Sequence, residues 1–147
     1  MTVDVAATIV IERPIDDVAT YAGDPSNAPS WCRRIDSAEW VTEPPVALGS
    51  QISLRVRSLG REVVSTHEVT ELTPGEQVAM RTVEGAPLPM TTTATWRAVG
   101  DRATHMVLRN QSEPTGFSRL VAPLVARSVR RAMDRDLGDL KRLLEAR

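Results

Sequence analysis

The sequence predicts an α+β fold in which a curved antiparallel sheet of about seven strands wraps around one long C-terminal helix. Three observations carry this. Residues 35–113 alternate apolar and polar positions in short runs broken by turn signals. One further alternating strand and two short helical segments come before that region. After Gly116 the apolar period changes from two to the helical spacing and keeps it to the end of the chain. Strands joined by short turns pair antiparallel. A curved sheet must cover its apolar face, and the closing helix is the only element large enough to do so.

Taken in order, Val3, Val5, Ala7, Ile9 and Ile11 share one face of the first strand, residues 2–11, against Thr2, Asp4, Ala6, Thr8 and Val10 on the other. Pro14 sits where a helix can begin, and Ile15, Val18, Ala19 and Ala22 form its apolar side until Gly23, Asp24 and Pro25 stop it. A second short helix or turn, 25–28, leads to Trp31. Strands follow at 35–42, 50–58, 61–72, 76–83, 89–98 and 102–112. They are separated at Pro44-Pro45, Leu59-Gly60, Thr73-Pro74-Gly75, Gly85-Ala86-Pro87 and Gly100-Asp101. Beyond Glu113-Pro114-Thr115-Gly116, Leu120, Leu124, Ala132, Met133, Leu137, Leu140 and Leu144 recur at helical spacing. Pro123 either kinks this helix or marks a new start at about Ala122.

The 147 residues suit one domain, 1–147, able to bury a core unaided. Eighteen basic against nineteen acidic residues give a net charge of -1, so overall charge gives no case for nucleic acid or acidic membranes as partners. The N-terminus alternates and lacks a basic leader region, and no run approaches the ~20 apolar residues of a membrane span. The expected location is cytoplasmic, without stable membrane insertion. Cys32 is alone, which excludes an internal disulfide and multi-cysteine metal sites. It has no partnered histidine to make it a nucleophile. No glycine-rich phosphate loop or dinucleotide fingerprint occurs, and no cofactor is expected.

The order of elements resembles the helix-grip fold of the START and polyketide-cyclase superfamily, SRPBCC. Ile11-Glu12-Arg13-Pro14 followed by Val18 resembles its strand-to-helix transition, and Asp24-Pro25 followed by Trp31 its second short helix and tryptophan. Val69-Thr70-Glu71-Leu72-Thr73-Pro74-Gly75 resembles its fourth strand and turn, and the segment from Gly116 to Leu144 its closing helix. The resemblance implies a hydrophobic cavity between sheet and helix that binds lipids, polyketides or other apolar molecules. Some members are aromatases or cyclases. It implies fold and ligand class, not a reaction.

Placing charges outside phases each strand. Inward positions are then Ile52, Leu54 and Val56; Val63, Ser65, His67 and Val69; Val78, Met80 and Thr82; Met90, Thr92, Ala94 and Trp96; and Thr104, Met106, Leu108 and Asn110. Turn lengths set a register. A two-residue turn at Leu59-Gly60 places Ile52 opposite His67. A four-residue connection, 73–76, pairs Leu72 with Gln77 and places His67 opposite Thr82. A loop around Gly85 pairs Thr82 with Met90. A three-residue loop, 99–101, pairs Ala98 with Arg102 and places Met90 opposite Asn110. One row, Ile52, His67, Thr82, Met90 and Asn110, thus crosses the inner face, beside a row of Val69, Met80, Thr92 and Leu108. His67 and Thr82 come within reach of each other, whereas Asn110 lies three strands from His67, at about 14 Å.

The candidate ligand-binding residues are His67, Thr82, Met80, Met90, Thr92, Trp96, Met106, Asn110 and Met133. His67 could hydrogen-bond a ligand or act as acid/base near neutral pH; the simpler reading is a core histidine bonded to Thr82 or a backbone carbonyl. No inward carboxylate accompanies it, so no triad is supported. Thr92 and Asn110 could orient a ligand carbonyl or hydroxyl, or form a water-bridged pair. The methionines could line an adaptable pocket or simply fill core. Trp96 could stack on a ring; Trp31 reads as an anchor of the short helix. Arg127, Arg130, Arg131, Arg135 and Arg142 read as a solvated helix face interleaved with acids.

Three functions remain. The first is binding of a small hydrophobic molecule, without catalysis, between sheet and helix. The second is a cyclase- or dehydratase-like enzyme with His67 as acid/base. The third is a surface interaction module, for which no clear exposed apolar patch is found. Ligand identity and oligomeric state are not written in the sequence.

Overall fold

The computed structural model describes residues 3–58, 60–86, 89–113 and 121–147. Thr2, Leu59, Pro87, Pro114, Thr115, Gly116 and Leu120, which the sequence assigns to a strand end, turns and the approach to the closing helix, lie outside these residues. The elements are β1 (Val3–Ile11), α1 (Ile15–Ala22), a 3-10 helix (Pro25–Ser30), β2 (Ile35–Trp40), β3 (Gln51–Ser58), β4 (Arg61–Thr73), β5 (Gln77–Thr82), β6 (Met90–Ala98), β7 (Thr104–Ser112) and α2 (Ala122–Glu145). The seven strands form one antiparallel sheet in the order β1-β7-β6-β5-β4-β3-β2.

The predicted phasing holds except in β5, where Ala79 is buried although it lies between the inward positions Val78 and Met80, which are half-buried. Val3, Val5, Ala7 and Ile11 of β1 are buried while Asp4, Ala6, Thr8 and Val10 are exposed. Ile52, Leu54, His67, Val69, Thr82, Ala94, Trp96, Thr104, Met106 and Leu108 are buried as assigned. The helix begins at Ala122, so Pro123 falls in the first turn. Its missing N–H is harmless there, because first-turn N–H groups have no intrahelical acceptor. Met133, Leu137, Leu140 and Leu144 make the buried stripe of α2. They pack with Val3, Val5, Ala7, Ile11, Val18, Trp31, Trp96, Met106 and Leu108 in one core. Leu137 and Leu140 are fully buried, and each such side chain stabilises the fold by about 2 kcal/mol.

Polar contacts fasten the end of α2 to the start of the chain. Lys141 Nζ donates to the Val10 carbonyl at 2.7 Å, and the Glu12 N–H donates to Glu145 Oε2 at 2.8 Å. Arg13 Nη1 donates to the Leu144 and Arg147 carbonyls at 2.7 and 2.9 Å, where a cation also suits the negative end of the helix dipole.

Two turns differ from the expected ones. Between β4 and β5, Thr73 pairs with Gln77, one residue further along than expected, and the Glu76 N–H closes the turn on the Thr73 carbonyl at 2.9 Å. A bulge between Val69 and Glu71 then takes up the extra residue. The two departures cancel, and His67 pairs with Thr82 as expected. Between β6 and β7, Ala98 pairs with Thr104 instead of Arg102. The Val99 N–H donates to the Ala103 carbonyl at 2.8 Å, which closes a five-residue loop, with Gly100 at φ 71°. The slip is two residues, so every side chain keeps its face. Asn110 consequently sits opposite Thr92, and Met90 opposite Ser112.

Candidate functional site

β3, β4 and β5 place the inward polar residues. Ile52 and Thr82 flank His67 on either side across the sheet. His67 is only 4% exposed, and Thr82 is buried too. The two do not bond to each other. Thr82 Oγ1 accepts the Met90 N–H at 3.1 Å and lies 3.5 Å from the Met90 carbonyl, so the hydroxyl is turned to the backbone. His67 Nδ1 is buried without a hydrogen-bond partner. Burial pushes the imidazole down to a pKa of about 4, because the cation would lose its hydration and gain no counter-charge. His67 is thus a neutral imidazole at pH 7, with one donor and one acceptor nitrogen. An unpaired buried polar group costs about 1–3 kcal/mol.

The corrected register moves Asn110 out of the His67 row. It belongs to the neighbouring row with Val69, Met80 and Thr92, where Leu108 was expected; Leu108 pairs with Ala94 instead. Thr92 Oγ1 donates to Asn110 Oδ1 at 2.8 Å, a direct bond where a water bridge had been the alternative. Both residues are half-buried. The pair presents a polar edge one row from His67, farther from it than a shared row would allow.

The other candidates divide. Met80 and Met90 are half-buried on the inner face beside His67 and Thr82. Met106 and Met133 are buried in the core under α2. The Trp96 ring reaches the end of α1, where a Cβ on Gly23 would come 3.2 Å from its Cη2. Its Nε1, like that of Trp31, is buried without a partner. These two indole donors were not singled out by the sequence as polar groups, since tryptophan at an inward position reads as bulk. Only the map of satisfied hydrogen bonds sets them beside His67.

No acid accompanies the imidazole in this row. Among the described residues, no group of three or more His, Cys, Asp or Glu is arranged to hold a metal ion. The Cys32 thiol is pushed up by burial and by the Asp136 carboxylate, which leaves it a poor nucleophile. No helix among the described residues is long and apolar enough to cross a membrane.

Solved structures share this fold over almost the whole chain. The Zhui aromatase/cyclase from Streptomyces sp. R1128 superposes with a TM-score of 0.79 at 21% identity, covering 99% of this chain and 94% of its own. TTHA0849 from Thermus thermophilus reaches 0.80 at 18% identity, over 97% of both chains. A START superfamily protein from Mycobacterium smegmatis reaches 0.76 at 15% identity, covering 95% of this chain and 98% of its own. At such identities the likeness concerns the fold. No curated protein matches the chain in sequence. The model of the family described as "Polyketide cyclase / dehydrase and lipid transport" matches residues 2–145. The seven-stranded sheet closed by α2 and this match together place the chain in that family, within the START-like helix-grip (SRPBCC) superfamily.

Proposed function

We propose that the protein binds a small, uncharged hydrophobic molecule against the inner face of β3–β6, with a hydroxyl or carbonyl of that molecule held by His67. The observation that carries this reading is the buried imidazole whose Nδ1 has no protein partner, opposite a threonine hydroxyl already turned to the backbone. The half-buried Met80 and Met90 give adaptable apolar contact, and Thr92–Asn110 a second polar edge. The family's polyketide and lipid associations agree with such a ligand.

Binding is favoured over a cyclase-type reaction. An imidazole with a pKa near 4 is a weak base at neutral pH, well away from the match between pKa and operating pH that acid–base catalysis favours. No inward carboxylate stands beside it to raise that value. A neutral imidazole is instead well suited to holding a neutral ligand.

Calorimetric titration with 2-naphthol and naphthalene tests the reading. Naphthol is expected to bind one to one and more tightly than naphthalene, and His67→Leu to remove at least fivefold of the naphthol affinity while leaving naphthalene unchanged. Equal effects on both compounds, or none, would remove His67 from ligand recognition.

A further inference from the structure

On the exposed side of α2, Arg142 pairs with Asp139 of the same helix, but among the described residues the arginines nearer its start have no such ion pair. Arg127, Arg131 and Arg135 follow one another at i, i+4 and i+8, so they share one stripe along the helix. Arg34, just after the 3-10 helix, lies across from them. These four, with Leu124, Ser128 and Ala132, line a groove of about 420 Å³, a volume within the range of small-molecule sites. Among the described residues, none of the four guanidinium groups makes an ion pair. The nearby acids are engaged elsewhere. Asp139 holds Arg33 at 2.7 Å and also pairs with Arg142. Asp136 accepts the Arg33 N–H at 3.2 Å, and its charge is shared between Arg33 and Arg135. Asp134, the remaining acid in this stretch of α2, is exposed and pairs with none of them.

We propose that this groove binds an anionic phosphoryl group, a phosphate monoester or diphosphate, attached to an apolar or neutral remainder. A chain with a net charge of -1 concentrates four cations in one concavity, three of them without an acid bearing on them among the described residues and Arg135 sharing Asp136 with Arg33. Planar guanidinium forks match phosphoryl oxygens in pairs, and several forks suit a group with several charged oxygens better than a single carboxylate. The first turn of α2 contains no acidic residue, so its dipole adds to the positive potential beside Leu124. Leu124 is 64% exposed and provides apolar contact for whatever carries the phosphoryl group. A soluble ligand and a lipid headgroup at a membrane surface both present this group, and the chemistry at the arginines is the same for either.

The experiment uses the full chain at low salt and pH 7, with two probes. Calorimetry with inorganic pyrophosphate reads the free anion, and co-sedimentation with vesicles of phosphatidylcholine alone or containing phosphatidic acid, a phosphate monoester, reads the headgroup. Arg127→Gln with Arg131→Gln removes two exposed, unpaired charges and keeps helix propensity. Arg61→Gln with Arg97→Gln removes the same charge from exposed strand positions elsewhere. The groove pair is expected to lose at least tenfold in affinity, and the distant pair less than twofold. Pyrophosphate binding without vesicle binding assigns a soluble ligand; sedimentation with phosphatidic acid vesicles but not phosphatidylcholine alone assigns a headgroup. Absence of both, or equal losses in the two double variants, overturns the site.

Discussion

The half of the sheet beneath α2 and the half beyond it are buried by different means. In β1, β7 and β6 the inward residues Val3, Val5, Ala7, Trp96, Met106 and Leu108 join the helix stripe in one continuous core. Its fully buried threonine, Thr104, donates its hydroxyl to the Arg13 carbonyl at 2.8 Å. In β5, β4 and β3, Ile52, Leu54, Val69, His67 and Thr82 are just as buried, yet none belongs to that core. That half also contains the one buried titratable side chain among the described residues of the sheet, left without a bond. Dense packing explains stability on one side. On the other, the unpaired group is an imidazole, whereas the unpaired groups of the dense half are the indole nitrogens of Trp31 and Trp96; leaving any of them unpaired has a cost.

If the halves differ in this way, substitutions should separate them. The largest effect belongs to the dense half. Leu140→Ala should cost about 2–5 kcal/mol, as for other buried leucines, measured by urea unfolding with an unchanged slope. A cost below about 1 kcal/mol would mean that the core under α2 is loose.

The second effect is pH dependence from the other half. His67 has the ordinary pKa of 6.5 when unfolded and about 4 when folded. Between those values the unfolded chain takes up the proton more readily, so stability falls as pH drops from about 6.5 to 4 and is unaffected above 6.5. The full loss is at most about 3 kcal/mol from the size of the shift. Parallel unfolding curves of His67→Leu over the same window should lack this component. Identical pH slopes in both proteins would show that the imidazole is hydrated or paired.

Smaller effects compare two threonines. Thr104→Val should cost about 1–2 kcal/mol, because it removes the bond made by a fully buried residue and leaves the Arg13 carbonyl short of a partner. Thr92→Val removes a bond to Asn110 in half-buried surroundings. It should cost less than about 1 kcal/mol, the lower end for such bonds. Reversal of this order would contradict the contrast between the halves.

Much of this contrast was legible in the sequence. Period-two alternation put His67, Thr82 and Asn110 on the inner face, because outward charges leave little choice of phase. The pairing of His67 with Thr82 was also correct, although a shorter turn and a bulge near Thr70 compensate for each other to produce it. The β6–β7 register was not legible. Gly100 permits a turn of either length, and the hydrogen bond from Val99 to Ala103 decides between them only in three dimensions. The arginines of α2 are solvated as read, but their acid partners were only partly legible. Arg142 finds its acid in Asp139, as interleaving implies, but Arg33, more than a hundred residues earlier, takes the same carboxylate. That His67 lacks a partner could not be seen either, since the hydroxyl of Thr82 turns toward Met90.

The central claim, that His67 is the hydrogen-bonding point of a ligand site, can be read directly from its ring nitrogens. The chain has two histidines, His67 and His105, so a long-range proton–nitrogen spectrum of the imidazoles resolves each. On titration with 2-naphthol at pH 7, the nitrogen signals of His67 should shift and saturate at one equivalent while those of His105 stay in place. Unmoved His67 signals across the titration, or a shift at His105 alone, would contradict the account.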